Sequence, residues 1–410
     1  MKSEKILDLA VSGIKFCEDG GTLDGFLDFY LKENDFRSVV SSMLFTYFRN
    51  KAVLDYAIKM FTQKKPSDFL RRVLSVVFVQ ILYQSGIESY AATDIAVSYV
   101  KKSEGKFAGN FINAVTRSFL RHIEQKENKN KILSAMRIVP DLLYKRWAQN
   151  YSTEKADRIV EVIGVKAPFT FRSLIPIGQD IMEKLNLKKL DGIESFNFYI
   201  AEDLGLLLDS DLMEKGLVYI QDPATIFFSK LIKGLTPERV LDYCSAPGGK
   251  TLVLSSLFPN SQIVATDRSD SRLKRVEENI QRMNAANIQV LRMEEFESEC
   301  KGGNFDLVLL DVPCSNTGVI RHRPDVMWKF NLSELKSITS LQKEILERIA
   351  PYVIKGGCIL YSTCSIEIEE NEQQVRNFLA ERVEFSLVSM DTLLPNQFND
   401  GAFVALLRKE

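Results

Sequence analysis

The sequence predicts an α/β protein: a doubly wound, mainly parallel sheet toward the C-terminus, preceded by an all-α bundle and a small α+β segment. Three observations carry that expectation. Apolar strand candidates alternate with amphipathic helices from residue 223 to residue 410, the pattern of a parallel sheet covered on both faces. Val240-Leu241-Asp242-Tyr243-Cys244-Ser245-Ala246-Pro247-Gly248-Gly249-Lys250-Thr251 runs from a short apolar strand through a Gly-Gly turn into helix-compatible Leu252-Val253-Leu254. Glycines there let a ligand approach the backbone, the helix offers free N–H groups, and nucleotide-like ligands bind at the first βα turn of such sheets. Residues 1–135 are poor in Gly and Pro and repeat apolar residues at three-to-four spacing, which is helical periodicity.

A chain of 410 residues, 45% hydrophobic and 26% charged, has room for two or three domains with substantial cores. The formal net charge is -1, but it is unevenly placed: residues 101–150 hold 11 Lys+Arg against 4 Asp+Glu. A basic segment on an otherwise acidic chain points to a polyanion contact or to a solvated helix face. The 6 cysteines (Cys17, Cys244, Cys300, Cys314, Cys358, Cys364) form no C-x-x-C pair, and only 2 histidines are present. Neither a metal site nor a disulfide framework is expected. No run of about 20 apolar residues and no signal peptide is evident, so no membrane contact is expected, and a reduced, cytoplasmic setting is.

Taken in order, helices are expected around 26–31, 70–82, 91–97 and 107–115, the last two packed with small residues at their crossing. A helical linker follows at 126–131, and mixed short elements run from 138 to 222. Strands are expected at 240–244, 263–267, 288–293, 305–311, 357–363 and 402–407, with helices at 271–283 and 332–346. The domains expected are therefore 1–135, 136–222 and 223–410.

Asp267 closes the second of these strands, 17 residues after Lys250. A carboxylate there can accept from ribose hydroxyls or cap the following helix, and both can hold at once. Asp311-Val312-Pro313-Cys314-Ser315-Asn316-Thr317-Gly318 ends the fourth strand, and Tyr361-Ser362-Thr363-Cys364-Ser365 ends the fifth. A buried Cys in a strand is usually a small hydrophobe, which accounts for Cys358. Two cysteines just past strand ends, each in a polar turn, are harder to explain as core. If the strands are neighbours, both thiols reach one cleft. Spacing alone does not say which thiol attacks.

These motifs resemble those of the RNA 5-methylcytosine methyltransferases, in particular the Sun family of bacterial small-subunit ribosomal RNA enzymes. That family reads close to LDxCAAPGGKT at the first turn and DAPCSGTG followed by VIRRHPD at the fourth strand. Here Val312 and Asn316 replace two of those residues, and the order is Arg321-His322-Arg323-Pro324-Asp325. Asn371-Glu372 matches its EENExxV helix, Asp400-Gly401-Ala402-Phe403 its DGFF strand, and Gly216–222 its GxxxVQD approach. Tyr83-Gln84, Tyr90-Ala91-Ala92 and Asn113-Ala114-Val115-Thr116-Arg117 resemble the NusB-like RNA-binding domain that precedes the catalytic domain in that family.

The resemblance implies a Rossmann-like fold, S-adenosylmethionine as cofactor, ribosomal RNA of the small subunit as substrate, and a monomer. It implies cofactor contacts from Cys244, Ser245, Ala246, Pro247, Gly248, Gly249, Lys250, Asp267 and Asp311. Glu294 is the nearest match to an Asp the family places at the third strand end. It assigns the nucleophile to Cys364 and product release to Cys314. By its chemistry Asp311 is the natural acid for nitrogen 3 of the base and could hold the amino group, and Arg321 and Arg323 point to RNA phosphates or to a solvated loop. The chemistry needs such a thiol, because carbon 5 of cytosine becomes nucleophilic only once a thiolate has added to carbon 6. The alternative is a catalytically silent RNA-binding ribosome assembly factor; intact Cys314, Cys364, Asp311 and Gly248-Gly249 argue against it. Amino-group enzymes carry an Asn/Asp-Pro-Pro-aromatic turn, and DNA cytosine enzymes lack the Thr-Cys partner, so neither class fits.

Overall fold

The computed structural model describes residues 2–84, 86, 88–193, 196–300 and 302–410. It divides into two compact units, residues 1–165 with 320–330, and residues 166–319 with 331–410.

The first unit is helical, with helices Lys2–Glu18, Leu23–Tyr30, Arg37–Phe61, Asp68–Tyr83, Ser89–Glu104, Lys106–Ile123, Lys126–Ser134, Asp141–Asn150 and Thr153–Gly164. Side-chain caps start several of them: the Thr22 and Ser67 hydroxyls accept from the Gly25 and Leu70 N–H groups, satisfying donors that a helix end leaves open. The two helices expected to cross through small residues do so. Ala92, Ala96 and Gly109 are buried, and a Cβ on Gly109 would press on the Lys101 side chain and lie 3.2 Å from the Val97 carbonyl. The core closes around Phe78 and Phe119, whose rings stack at 3.9 Å between centroids.

Two features of this unit depart from the sequence expectation. Helices Asp141–Asn150 and Thr153–Gly164 group with the bundle rather than with a separate 136–222 subdomain. They pack on each other over fully buried Trp147, and the second lies on Arg37–Phe61. The segment Ile320–Phe330 also belongs here: the Trp328 indole N–H donates to the Phe48 carbonyl at 2.6 Å, Arg49 donates to the Arg321 carbonyl at 2.8 Å, and Asp325 accepts from the Leu23 N–H at 3.2 Å.

The second unit holds two sheets. In the smaller, β1 (Phe169–Ser173), β2 (Leu187–Leu190), β3 (Asn197–Ala201) and β4 (Val218–Ile220) are antiparallel in the order β2-β3-β1-β4. Asp222 then caps a 3-10 helix, Pro223–Leu231. The larger sheet contains β5 (Arg239–Asp242), β6 (Gln262–Ala265), β7 (Ile288–Val290), β8 (Phe305–Asp311), β9 (Val353–Thr363), β10 (Phe385–Leu393) and β11 (Ala402–Lys409). Its order is β10-β11-β9-β8-β5-β6-β7; the five strands from β9 to β7 are parallel, and β10 and β11 are antiparallel additions at one edge.

Alternate strand residues feed two cores, as a sheet covered on both faces requires. Leu241, Val308, Leu310, Ile359 and Tyr361 face Leu346 and Phe378 on one side. Val240, Leu307, Leu309 and Leu360 face Val253, Phe228 and Phe198 on the other, so β3 of the small sheet contributes to that core. The chain reverses its direction of travel across the sheet between β5 and β8, and ligands bind at the carboxyl ends of strands at such a switch point.

Candidate active site

The β5 turn and its surroundings line a cleft of about 260 Å³, just below the roughly 300–1,000 Å³ of small-molecule sites. Its walls include Cys244, Ser245, Ala246, Pro247, Gly249, Lys250 and Asp311, together with Tyr219, Gln221 and Asp242. Gly248 turns the chain with φ +101, and a Cβ there would lie 3.4 Å from Val276, a conformation glycine adopts freely. Asp267 sits beneath the turn: its carboxylate accepts from the Ala246 N–H at 3.3 Å and the Ser269 N–H at 3.0 Å, with Arg272 3.7 Å away. The helix that follows has Ser269 rather than Asp267 at its N-cap, so Asp267 braces the turn instead of capping the helix. Its place relative to a ribose stays part of the proposal below.

Glu294 is exposed and is not among the residues that line this cleft. The cause is local. β7 ends at Val290, short of the expected strand, so Glu294 already lies in helix Met293–Glu299, and Glu295 closes that helix by accepting from the Arg292 N–H at 2.8 Å.

The donor and acceptor set of the cleft fits S-adenosylmethionine, which carries an ammonium, a carboxylate and ribose hydroxyls. Asp242 Oδ1, Gln221 Nε2 and Ser245 Oγ are buried without a protein partner, an expensive arrangement unless a ligand completes it. Asp242 Oδ2 accepts from the Thr251 hydroxyl at 2.7 Å, and burial pushes the Asp242 carboxyl up to about 7. Gln221 is aimed by Arg172, whose Nε donates to Gln221 Oε1 at 3.2 Å. That fixes the amide with Nε2 toward Gly249, where a Cβ would lie 3.1 Å away. Burial lowers Arg172 to about 10. Burial pushes the Cys244 thiol up, keeping it a neutral wall residue.

Lys250 and Asp311 form an ion pair at 2.7 Å across the cleft. Burial alone would lower the Lys250 ammonium; Asp311, with Cys364 and Asp242 beyond it, raises it above the ordinary lysine value. Asp311 is the last residue of β8 and pairs in register with Ser362 of β9. That register brings the two cysteine turns together, and the Sγ atoms of Cys314 and Cys364 are 3.1 Å apart. The Cys364 thiol donates to Asn316 Oδ1 at 3.1 Å. The bond to Cys364, then burial, holds the Cys314 thiol well above its ordinary value. Asn316 stands where the family reads glycine, at φ 60; Asn is the side chain that best tolerates this left-handed conformation. Gly318 has no such freedom of replacement, because a Cβ would lie 2.6 Å from the Cys364 and Gly401 carbonyls.

Two residues in the stretch that matches the EENExxV helix also build the site. Glu370 is fully buried and accepts from the Ser315 N–H at 2.8 Å, the Ser365 hydroxyl at 2.6 Å, Gln342 Nε2 at 3.1 Å and the Ser315 hydroxyl. Asn371 accepts from the Thr363 hydroxyl at 2.6 Å and donates to the Ser365 carbonyl at 2.9 Å. Arg321 is 4% exposed, which removes it as a surface phosphate contact. Arg323 is half-exposed and pairs with Asp24 at 3.1 Å.

Residues 231–406 match the family described as 16S rRNA methyltransferase RsmB/F, and residues 22–121 match the NusB family. Ribosomal RNA small subunit methyltransferase B of Vibrio cholerae is 32% identical, covering 84% of this chain and 83% of that protein. The Yersinia enterocolitica protein of the same name is 31% identical, covering 91% and 90%. The fold is shared with the crystal structure of PH0851 (TM-score 0.78, 21% identity, 99% of each chain). It is shared in part with NSun6 from Pyrococcus horikoshii with SFG (TM-score 0.56, 19% identity, 66% of this chain and 98% of that one). No helix of the described residues is long and apolar enough to cross a membrane. The chain belongs to the RsmB/F family of S-adenosylmethionine-dependent RNA methyltransferases.

Proposed function

We propose that the protein methylates carbon 5 of a cytosine in small-subunit ribosomal RNA, in the cytoplasm, through a covalent bond between Cys364 and carbon 6 of the base. The observation that carries this reading is the pair of thiols, 3.1 Å apart at the ends of neighbouring strands, beside the Lys250–Asp311 ion pair. A single-thiol or amino-group mechanism would have no use for the second sulfur.

The Cys364 thiolate forms the S–C6 bond, and the 5,6 electron pair of the ring becomes available at carbon 5. Nitrogen 3 takes a proton from water as the S–C6 bond forms and returns it to water when the product is released; Asp311, held by Lys250, accepts a hydrogen bond from that N–H and so stabilises it. S-adenosylmethionine, when bound, supplies an electrophilic methyl group for carbon 5. Cys314 gives its own proton to water once Cys364 is bound to carbon 6, and as a thiolate it takes the carbon 5 proton; that C–H electron pair re-forms the 5,6 double bond as the S–C6 bond breaks, leaving Cys314 a thiol and Cys364 a thiolate. Cys314 is suited to wait for that step. The shared hydrogen bond with Cys364 is the first cause of its raised value, and it vanishes once the Cys364 sulfur is a thioether. The cofactor wall would come from Asp242, Cys244 to Lys250 and Asp311, with Asp267 bracing the turn and turned toward the ribose, and with no role for Glu294. The helical unit, basic in residues 101–150, would supply part of the RNA contact.

The test is direct. Unmodified small-subunit RNA, incubated with the protein and S-adenosylmethionine and digested to nucleosides, yields 5-methylcytidine. Methylation recovered only on other atoms would refute the carbon 5 assignment.

A further inference from the structure

We propose that Glu370 is the positioning residue of this site: one buried carboxylate ties the two thiol-bearing turns together and holds the thiols in register. The inference deepens the two-thiol reading above and rests on it. Ser315 follows Cys314 directly, and Ser365 follows Cys364 directly. Both bond the same carboxylate, Ser315 through its N–H at 2.8 Å and its hydroxyl, Ser365 through its hydroxyl at 2.6 Å. Gln342 Nε2 adds a fourth donor at 3.1 Å and also holds the Pro313 carbonyl at 2.9 Å. An ionised carboxylate is acceptor-only with about four lone-pair sites, so four donors fill it. The Glu370 backbone is anchored in turn, its carbonyl accepting from the Tyr361 hydroxyl at 2.7 Å.

Glutamine could not replace this hub. It keeps the shape, but it has one acceptor oxygen and brings two donors into a place already lined with donors. The carboxylate also differentiates the thiols. Glu370 adds to the causes that hold Cys314 up, while burial raises Glu370 itself against the bonds from Ser315 and Ser365. The other titratable or charged groups facing this cluster are Cys364, Glu367, Tyr361, and Lys250 with Asp311.

The experiment compares Cys364→Ala with Cys364→Ala/Glu370→Gln, so that only Cys314 of the pair reports. The pH dependence of iodoacetamide labelling at Cys314 is read by peptide mass spectrometry, with thermal melts run alongside. The expected result is a Cys314 labelling midpoint lower by about one pH unit in the double variant, the usual size for loss of a nearby like charge. In the otherwise unaltered chain, Glu370→Gln should lower the methylation kcat by about 100-fold, the scale of a 1 Å misplacement, with the S-adenosylmethionine Kd within about twofold. Unchanged labelling in a folded double variant would overturn the proposal. Labelling needs no RNA, so it separates failure of this inference from failure of the cytosine chemistry. If Glu370→Gln does not fold, Ser315→Ala/Ser365→Ala keeps the charge and removes both hydroxyl donors. It should lose about tenfold in kcat with Cys314 labelling unshifted, and an unaltered kcat there would equally overturn the anchoring role.

Discussion

Cys314 and Cys364 share a hydrogen bond between their sulfur atoms at 3.1 Å, although 50 residues separate them. Neighbouring parallel strands make that possible: Asp311 and Ser362 are register partners, and each cysteine lies two or three residues past its partner residue. The sheet therefore brings the two turns side by side, and the bonds to Glu370 hold the thiols within them. Cys364→Ala is expected to abolish methylation, leaving the melting temperature and cofactor affinity close to those of the unaltered protein, because a half-buried thiol at a strand end carries little of the core. Turnover above about one-thousandth of the parent rate would mean that another group attacks carbon 6.

Asp242 makes the stability of the ligand-free protein depend on pH. Its carboxyl is pushed up to about 7 from 3.8 by burial, so between those values the folded protein holds a proton that the unfolded chain has lost. The contribution is fully present below about pH 4 and disappears as pH rises through about 7. Asp242→Asn should therefore flatten the fall in melting temperature between pH 5 and pH 8, and should weaken S-adenosylmethionine binding at least tenfold above pH 7. A variant with the parent's pH slope would show that another group sets it.

Trp328 lies between the two cysteine motifs in sequence, yet its indole donates to the Phe48 carbonyl of the helical unit at 2.6 Å, and Lys51 lies 4.9 Å over its ring. Trp328→Ala should destabilise that unit by about 1–3 kcal/mol, since the ring is only partly buried. Hydrogen exchange should then accelerate in helix Arg37–Phe61 and leave β5 and β8 protected. Faster exchange confined to the sheet would contradict the placement of residues 320–330. For the same reason, deleting residues 1–135 is a poor test of RNA binding, since it strands this segment without its core.

Much of the catalytic unit was legible in the sequence because its signals are local. β8 has the bounds read from its apolar run, and the Gly248-Gly249 turn and both cysteine turns follow strands as expected. β10 was missed because it is an edge strand with Ser386, Ser389, Asp391 and Thr392 along it, which reads as polar loop. Glu370 falls in the stretch matching the EENExxV helix, but its role was not legible there: its donors come from positions 315, 342 and 365, and only the fold collects them. The two compact units divide the chain at 165/166 rather than at the ends of the expected 136–222 segment, and tertiary packing decides that. Nothing local tells helix Asp141–Asn150 to bury Trp147 with the bundle, nor residues 320–330 to leave the sheet for it.

The most direct test of the account is a covalent trap. Cys314→Ala is incubated with S-adenosylmethionine and unmodified small-subunit ribosomal RNA, then run on a denaturing gel. A slowly migrating protein–RNA band is expected, and it should disappear when Cys364 is also changed to Ala. No band, with the unaltered protein still methylating the same RNA, would contradict the division of labour between the two thiols.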